Sequence, residues 1–452
     1  MSLKIRLLFA KHRHTWMLLL AVLMLLSSLP GNASKAGLSV AADDTPTSGA
    51  SQQAGLLCPG TGLTTPPHMH IRIMTSRYWD LVWTLAGRQQ TGVPLVETCG
   101  KKLIPSAGGI DDVGSFYLIP ELSLFFGLRI AQSVDLFYEF FLGFSLVAGA
   151  IAFLVLYRTW LARAVAVIGV LLLTAIGYKI GDVYIFCFVT AVVVTPWSLV
   201  WTHRTLEGIW PMAGLFVIGV LIETGNLVRS HAGTAALIFV CLILFFQASA
   251  GKRQKVALLL CLIAGMLVPR LVISRAIGQS DTLLSSRDPG FKASSREHVL
   301  WHSVYSGLGF LQNDYGFKWD DAATYEKAQS VMPGVRFGSP QYEQILKREV
   351  IRAVWHHPWF IFETLSAKLG ITFAVIVLFA NVGILAAVAS PKPWAVEISF
   401  WAAILFNSLF GLVAIPVVPY MLGLISYAGL YGVVSLCFFL EKRSTKGHCR
   451  LN

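Results

Sequence analysis

Asp111-Asp112-Val113-Gly114-Ser115-Phe116-Tyr117-Leu118-Ile119-Pro120 is an acidic turn that opens straight into an aromatic and apolar segment. Glycines at 108, 109 and 114 flank the two carboxylates, so the backbone can turn tightly and bring them close to a ligand. Phe116 to Phe126 has helical spacing and stops at Gly127, which predicts a helix that begins at the acids and ends on a glycine. Aspartates at a helix start either satisfy orphan N–H groups as caps, or stay available to take a proton from a hydroxyl or to hold a divalent cation. Spacing alone leaves both roles open.

Outward from this stretch the chain is too apolar for a soluble domain. Of its 452 residues, 55% are hydrophobic and 13% charged, with a mean hydropathy of +0.64, well beyond what a core of this size requires. The composition predicts an all-α polytopic membrane protein. The formal net charge of +12 does not point to nucleic acid, because much of the basic charge flanks apolar runs, where it orients the chain in the bilayer.

Hydropathy and basic loops predict about ten spans, near residues 17–29, 136–156, 164–177, 184–201, 209–222, 235–246, 256–273, 371–389, 395–413 and 417–440, with both termini cytoplasmic. The organisation that follows is a tail and first span (1–30), an exported loop (31–134), a transmembrane core (135–273), an exported small domain (274–368), C-terminal spans (369–440) and a basic tail (441–452). The first apolar run is short enough to read also as a signal peptide, with small residues at 33–34 or 40–42 as its cleavage site; an uncleaved anchor is the favoured reading. Arg72, Arg77 and Arg88 alternate with apolar residues over 71–91, which predicts an amphipathic helix lying on the bilayer surface. Residues 339–356 predict a helix opened by Ser339-Pro340, with Tyr342, Ile345, Leu346, Val350 and Val354 on one face. Cys58 and Cys99 share the first exported segment, where a disulfide between them is expected; Cys187, Cys241, Cys261 and Cys437 fall in apolar runs and read as packing residues.

A short basic N-terminus, one span, a long exported loop with an acidic pair, and then Gly114-Ser115-Phe116-Tyr117-Leu118-Ile119-Pro120 running into the next span is an order that resembles integral-membrane glycosyltransferases of the GT-C fold. The resemblance covers the topology from residue 1 to about residue 284; the segment 274–368 departs from it, which leaves sugar and acceptor open. It implies that Asp111 and Asp112 are catalytic, with Mg or Mn as a possible cation on them, and that the donor is a sugar on a polyprenyl phosphate. It also implies a bacterial inner membrane, chemistry on the exported face, and a glycan, lipid or protein acceptor.

Against that resemblance, Arg229 and His231, followed by Gly233-Thr234, are candidates for the donor phosphate, with Lys179 as a second ligand. Arg229 reads equally as a side chain snorkelling to the headgroups, and Lys179 with Asp182 as a local ion pair. Asp182, His298, Trp301, His302 and Tyr305 are candidates for the acceptor side of the cleft. His298 and His302 share a helical face at zinc-compatible spacing, but Glu297 precedes the first histidine where a zincin needs it between the two. Packing of the exported domain is the other reading of Trp301, His302 and Tyr305, and Asp314, Asp320 and Asp321 read as solvated loop carboxylates. Two rival functions are a flippase for a lipid-linked saccharide, which predicts broken or charged mid-span positions in paired halves, and a non-catalytic assembly protein. No internal repeat is visible, and the charges gather at the exported ends.

Overall fold

The computed structural model describes residues 65–99, 102–106, 112–203, 209–246, 251–288, 291 and 300–448. The first apolar segment, Cys58, Asp111 and His298 lie outside the described residues. The described residues are 79% helical, with one small exception among them to the all-α expectation. After α1 (Thr75–Thr91), β1 (Val96–Cys99) and β2 (Lys102–Pro105) pair antiparallel, Val96 opposite Pro105 and Cys99 opposite Lys102. Strands of four residues are too short for alternation to register in sequence. Cys99 is disulfide-bonded.

α2 (Val113–Phe126) begins at Asp112 and ends on Gly127 in the left-handed conformation, φ 64°, as the sequence predicts. The bundle follows: α3 (Ile130–Leu156), α4 (Trp160–Ile180), α5 (Ile185–His203), α6 (Ile209–Val228), α7 (Thr234–Phe246) and α8 (Lys252–Arg287). A small helical domain comes next, with α9 (Leu300–Gly307), α10 (Asp321–Val331) and α11 (Pro340–His356). The chain returns to the bundle through α12 (Pro358–Ala389), α13 (Trp394–Val413) and α14 (Leu422–His448). Seven of these helices, α3, α4, α6, α8, α12, α13 and α14, are long and apolar enough to cross a membrane, while α2, α5 and α7 carry shorter apolar stretches.

Two helices are longer than their apolar runs suggest. α8 and α12 have 36 and 32 residues, about 54 and 48 Å at ~1.5 Å per residue, and so run straight through the expected boundaries at 273/274 and 368/369. Helical hydrogen bonding continues where hydropathy stops.

Hydrogen bonds sort the connections to two ends. At one, the amides of Arg158 and Thr159 donate to Glu441 Oε1 at 2.9 and 2.6 Å, pinning the α3–α4 turn to the end of α14. At the other, the Ile71 amide donates to Asp135 Oδ1 at 2.9 Å, the Arg72 amide to the Gly181 carbonyl at 2.5 Å, and Ser115 Oγ to the Val228 carbonyl at 2.9 Å. The small domain joins this second end, because Gly307 approaches the carbonyls of Val413 and Ala414, and Lys368 Nζ donates to Leu412 and Ala414 at 3.0 and 2.6 Å. Its core gathers Tyr305, Ala328, Tyr342, Leu346 and Val350.

α1 differs from the expected surface helix. It buries Tyr78, Asp80, Leu81, Thr84 and Gly87, and two of its arginines are used inside the protein: Arg77 pairs with Asp112, and Arg88 Nε with Glu121 Oε1 at 2.6 Å. The alternation of apolar and basic residues therefore marks a helix packed between the hairpin and α2, with its cations aimed at carboxylates of α2 and its N-terminal turn.

Candidate functional site

Asp112 stands at the N-cap position of α2 but does not cap with its side chain; only its carbonyl accepts from the first turn, from Ser115 N at 2.9 Å and Phe116 N at 3.3 Å. The carboxylate is 5% exposed and its Oδ2 accepts from Arg77 Nη1. Gly114 makes this placement possible, since a Cβ there would lie 2.7 Å from the carbonyl carbon of Leu227, and α2 rests directly on the end of α6.

One turn along α1 from Arg77 is Asp80, also buried. Desolvation pushes its carboxyl up to about 7; Arg77 opposes the rise, and the negative charge of Asp112 adds to it. One arginine thus serves two acids: Asp112 is ion-paired to it, and Asp80 holds its proton into the neutral range. A carboxyl that keeps its proton and an ion-paired carboxylate sharing one arginine is an arrangement suited to proton transfer.

Arg229, at the end of α6, lies over the Tyr184 ring at 4.3 Å and donates to its hydroxyl. Tyr184 lies 4.8 Å from Tyr420 in the α13–α14 turn with the rings tilted at 58°, and Tyr420 meets Trp319 of the small domain edge-on at 5.9 Å. This aromatic wall links the arginine to the small domain. Asp182 accepts from the Tyr184 amide at 3.1 Å, closing the α4–α5 turn. Burial raises its carboxyl, opposed first by that amide and then by Arg229, Arg72 and Arg77. Arginines 229 and 77 therefore converge electrostatically on one region.

The other sequence candidates take different places. Lys179 is exposed in the last turn of α4, while the cations acting on Asp182 are arginines. His231 is exposed, in the left-handed conformation with φ 66°, its ring 5.9 Å from Phe410. His302 and Tyr305 are buried in the small domain, where His302 contacts the Tyr342 hydroxyl at 2.6 Å and Asp321 Oδ1 at 2.9 Å. The amides of Trp301 and His302 donate to Glu343 at 2.7 and 3.2 Å. These contacts build the domain. Asp320 caps α10 by accepting from Ala322 N at 2.7 Å, which gives it a structural task in place of the loop role expected, while Asp321 is exposed as expected and also holds His302.

Beside the acid pair a cavity of about 730 Å³ opens between α2, α3, α6 and α8. Its wall is almost wholly apolar, including Leu118, Phe125, Phe137, Phe141, Leu227 and Val272; Gly114 and Tyr117 bring its edge to the turn that carries Asp112, and Glu121 supplies a carboxylate. Such a cleft suits a hydrocarbon chain.

Among the described residues no three His, Cys, Asp or Glu side chains converge as a metal site. Arg77 also sits on the Asp112 oxygen that a cation would need. The described donors do not by themselves fit a resident divalent ion.

Arg77 is read in sequence only as part of an amphipathic face, while Asp80, Tyr184, Tyr420 and Trp319 carry no sequence signal. Only the i, i+3 spacing of Arg77 and Asp80 hints at a shared face. Compared with protein-family models, curated proteins and solved structures, the chain matches none.

Proposed function

We propose that this protein is a GT-C-type glycosyltransferase with about ten spans, which moves a sugar from a polyprenyl-phosphate donor to an acceptor hydroxyl at the exported face of a bacterial inner membrane. The observation that carries the reading is the buried Asp112 carboxylate, which leaves its own helix uncapped, pairs with Arg77, and stands one turn from an apolar cleft. In this scheme the isoprenoid chain lies in the cleft, and the phosphate meets the guanidinium groups of Arg77 and Arg229. The aromatic wall of Tyr184, Tyr420 and Trp319 offers faces for sugar or acceptor.

The reaction balances on these groups. Asp112 takes the proton of the acceptor hydroxyl as its oxygen bonds to the anomeric carbon; the bond from that carbon to the phosphate oxygen breaks, and its electron pair leaves on polyprenyl phosphate. Arg77 and Arg229 stabilise the charge that develops there, and because the acceptor oxygen attacks once, from the face opposite the phosphate, transfer inverts the anomeric configuration. The basic residues at the other end of the bundle, Arg158, Arg163, Lys252, Arg253, Lys255, Lys442 and Arg443, support a cytoplasmic assignment for that end.

In membranes supplied with radiolabelled polyprenyl-phosphate hexoses, Asp112→Asn should lower transfer at least ~100-fold, in the range of a lost general base, with unchanged protein abundance. Transfer retained by Asp112→Asn refutes this role of Asp112. Movement of the labelled lipid across vesicles without a new glycosidic product would favour the flippase.

A further inference from the structure

We infer that the outer face of α11 and the first turns of α12 lie on the phospholipid headgroup layer, with Trp355 and Trp359 as anchors and Arg348 against lipid phosphates. α11 packs on the small domain through Tyr342, Leu346, Val350 and Ala353. On the opposite side Arg348, Ile351 and Trp355 recur at helical spacing and all are exposed. Trp355 is 79% exposed and Trp359 76%. Two bare tryptophans beside exposed Ile351 and Phe362 form a patch unlike an ordinary water-facing surface. A helix face that mixes basic and large apolar residues is typical of segments that lie in a membrane interface, where tryptophan concentrates at headgroup level.

Length and continuity place the patch. α12 has 32 residues, about 48 Å long, against a hydrocarbon core of ~30 Å. Its first turns therefore project beyond the hydrocarbon core once its apolar remainder crosses. The exposed stripe is unbroken through this transition, from Trp359 and Phe362 to Leu365, Leu369 and Phe373. Only His357 separates α11 from α12, so α11 ends at the same level. Charge agrees: between 347 and 363 the exposed charged side chains are Lys347, Arg348, Arg352 and Glu363, while Glu349 is nearly covered and pairs with Lys327 at 3.1 Å and Arg352 at 2.6 Å. A net positive face favours anionic headgroups.

The test replaces Trp355, and in a second variant Ile351, by the photoreactive p-benzoylphenylalanine in the full chain, reconstituted in vesicles of phosphatidylcholine and phosphatidylglycerol. Both side chains are exposed, so neither replacement removes packing. Irradiation should yield phospholipid adducts by intact mass at both positions, and Arg348→Glu should lower the phosphatidylglycerol adduct about fivefold. Cross-links to a second copy in place of lipid, or no lipid adduct at either position, would overturn the inference.

Discussion

Asp112 carries the proposal at the scale of single residues because its contacts speak against side-chain capping, one of the two jobs that the sequence leaves open. A capping aspartate turns its oxygens to the first-turn amides; this one leaves the amides to its carbonyl and takes Arg77 instead. Asp80 then becomes the titrating partner. Its carboxyl is raised to about 7 by burial, so the native state disfavours its ionisation. The stability its neutral form contributes is full below the ordinary carboxyl range and is lost as pH rises toward 7. Asp80→Asn should therefore flatten the fall in melting temperature between about pH 4 and about pH 7, measured in detergent, and remove an inflection near neutrality from the pH profile of transfer. An unchanged melting profile would show that Asp80 does not titrate there. The sequence names Asp112 but not this pairing, because Arg77 and Asp112 are brought together by packing over 35 positions. For His302 the sequence leaves cleft and packing both open, and the structure holds it inside the small domain against Tyr342 and Asp321.

Elements were legible wherever a punctuating residue marked them. Gly127 ends α2, and Ser339-Pro340 opens α11, with Ser339 Oγ accepting from Tyr342 N at 3.2 Å. Four of the five residues assigned to the inner face of α11 are buried; Val354 turns outward and Ala353 takes its place, a shift of one position around the helix. What sequence does not display is how closely elements approach. The Cβ of any residue at 114 would press 2.7 Å from the carbonyl carbon of Leu227, against backbone that cannot swing aside. Gly114→Val should lower stability by about 1–3 kcal/mol, read as a lower melting temperature, and should displace Asp112 enough to depress transfer. Gly143→Ala, with nothing within 4 Å of its Cβ, should leave both unchanged. Equal effects from the two variants would refute the close-packing explanation.

For the whole molecule, hydropathy gave the membrane class, and the structure supplies seven helices of spanning length. Hydropathy does not show how far helices continue, since α8 and α12 run on past their apolar stretches into the polar segments. The proposed sidedness rests on the charge at the two ends of the bundle, and it is testable. A cysteine at Lys318, exposed in the small domain, should react with a membrane-impermeant maleimide in intact cells, and one at Arg158 should not; the reverse pattern would place the acid pair on the cytoplasmic side. The most direct measurement is a density map of the protein with polyprenyl phosphate bound. The account predicts the chain in the cleft between α2, α3, α6 and α8, with phosphate oxygens about 2.7–2.9 Å from a guanidinium nitrogen of Arg77 or Arg229. A phosphate seated at the other end of the bundle, beside Arg158 and Lys442, or a chain bound outside that cleft, would contradict it.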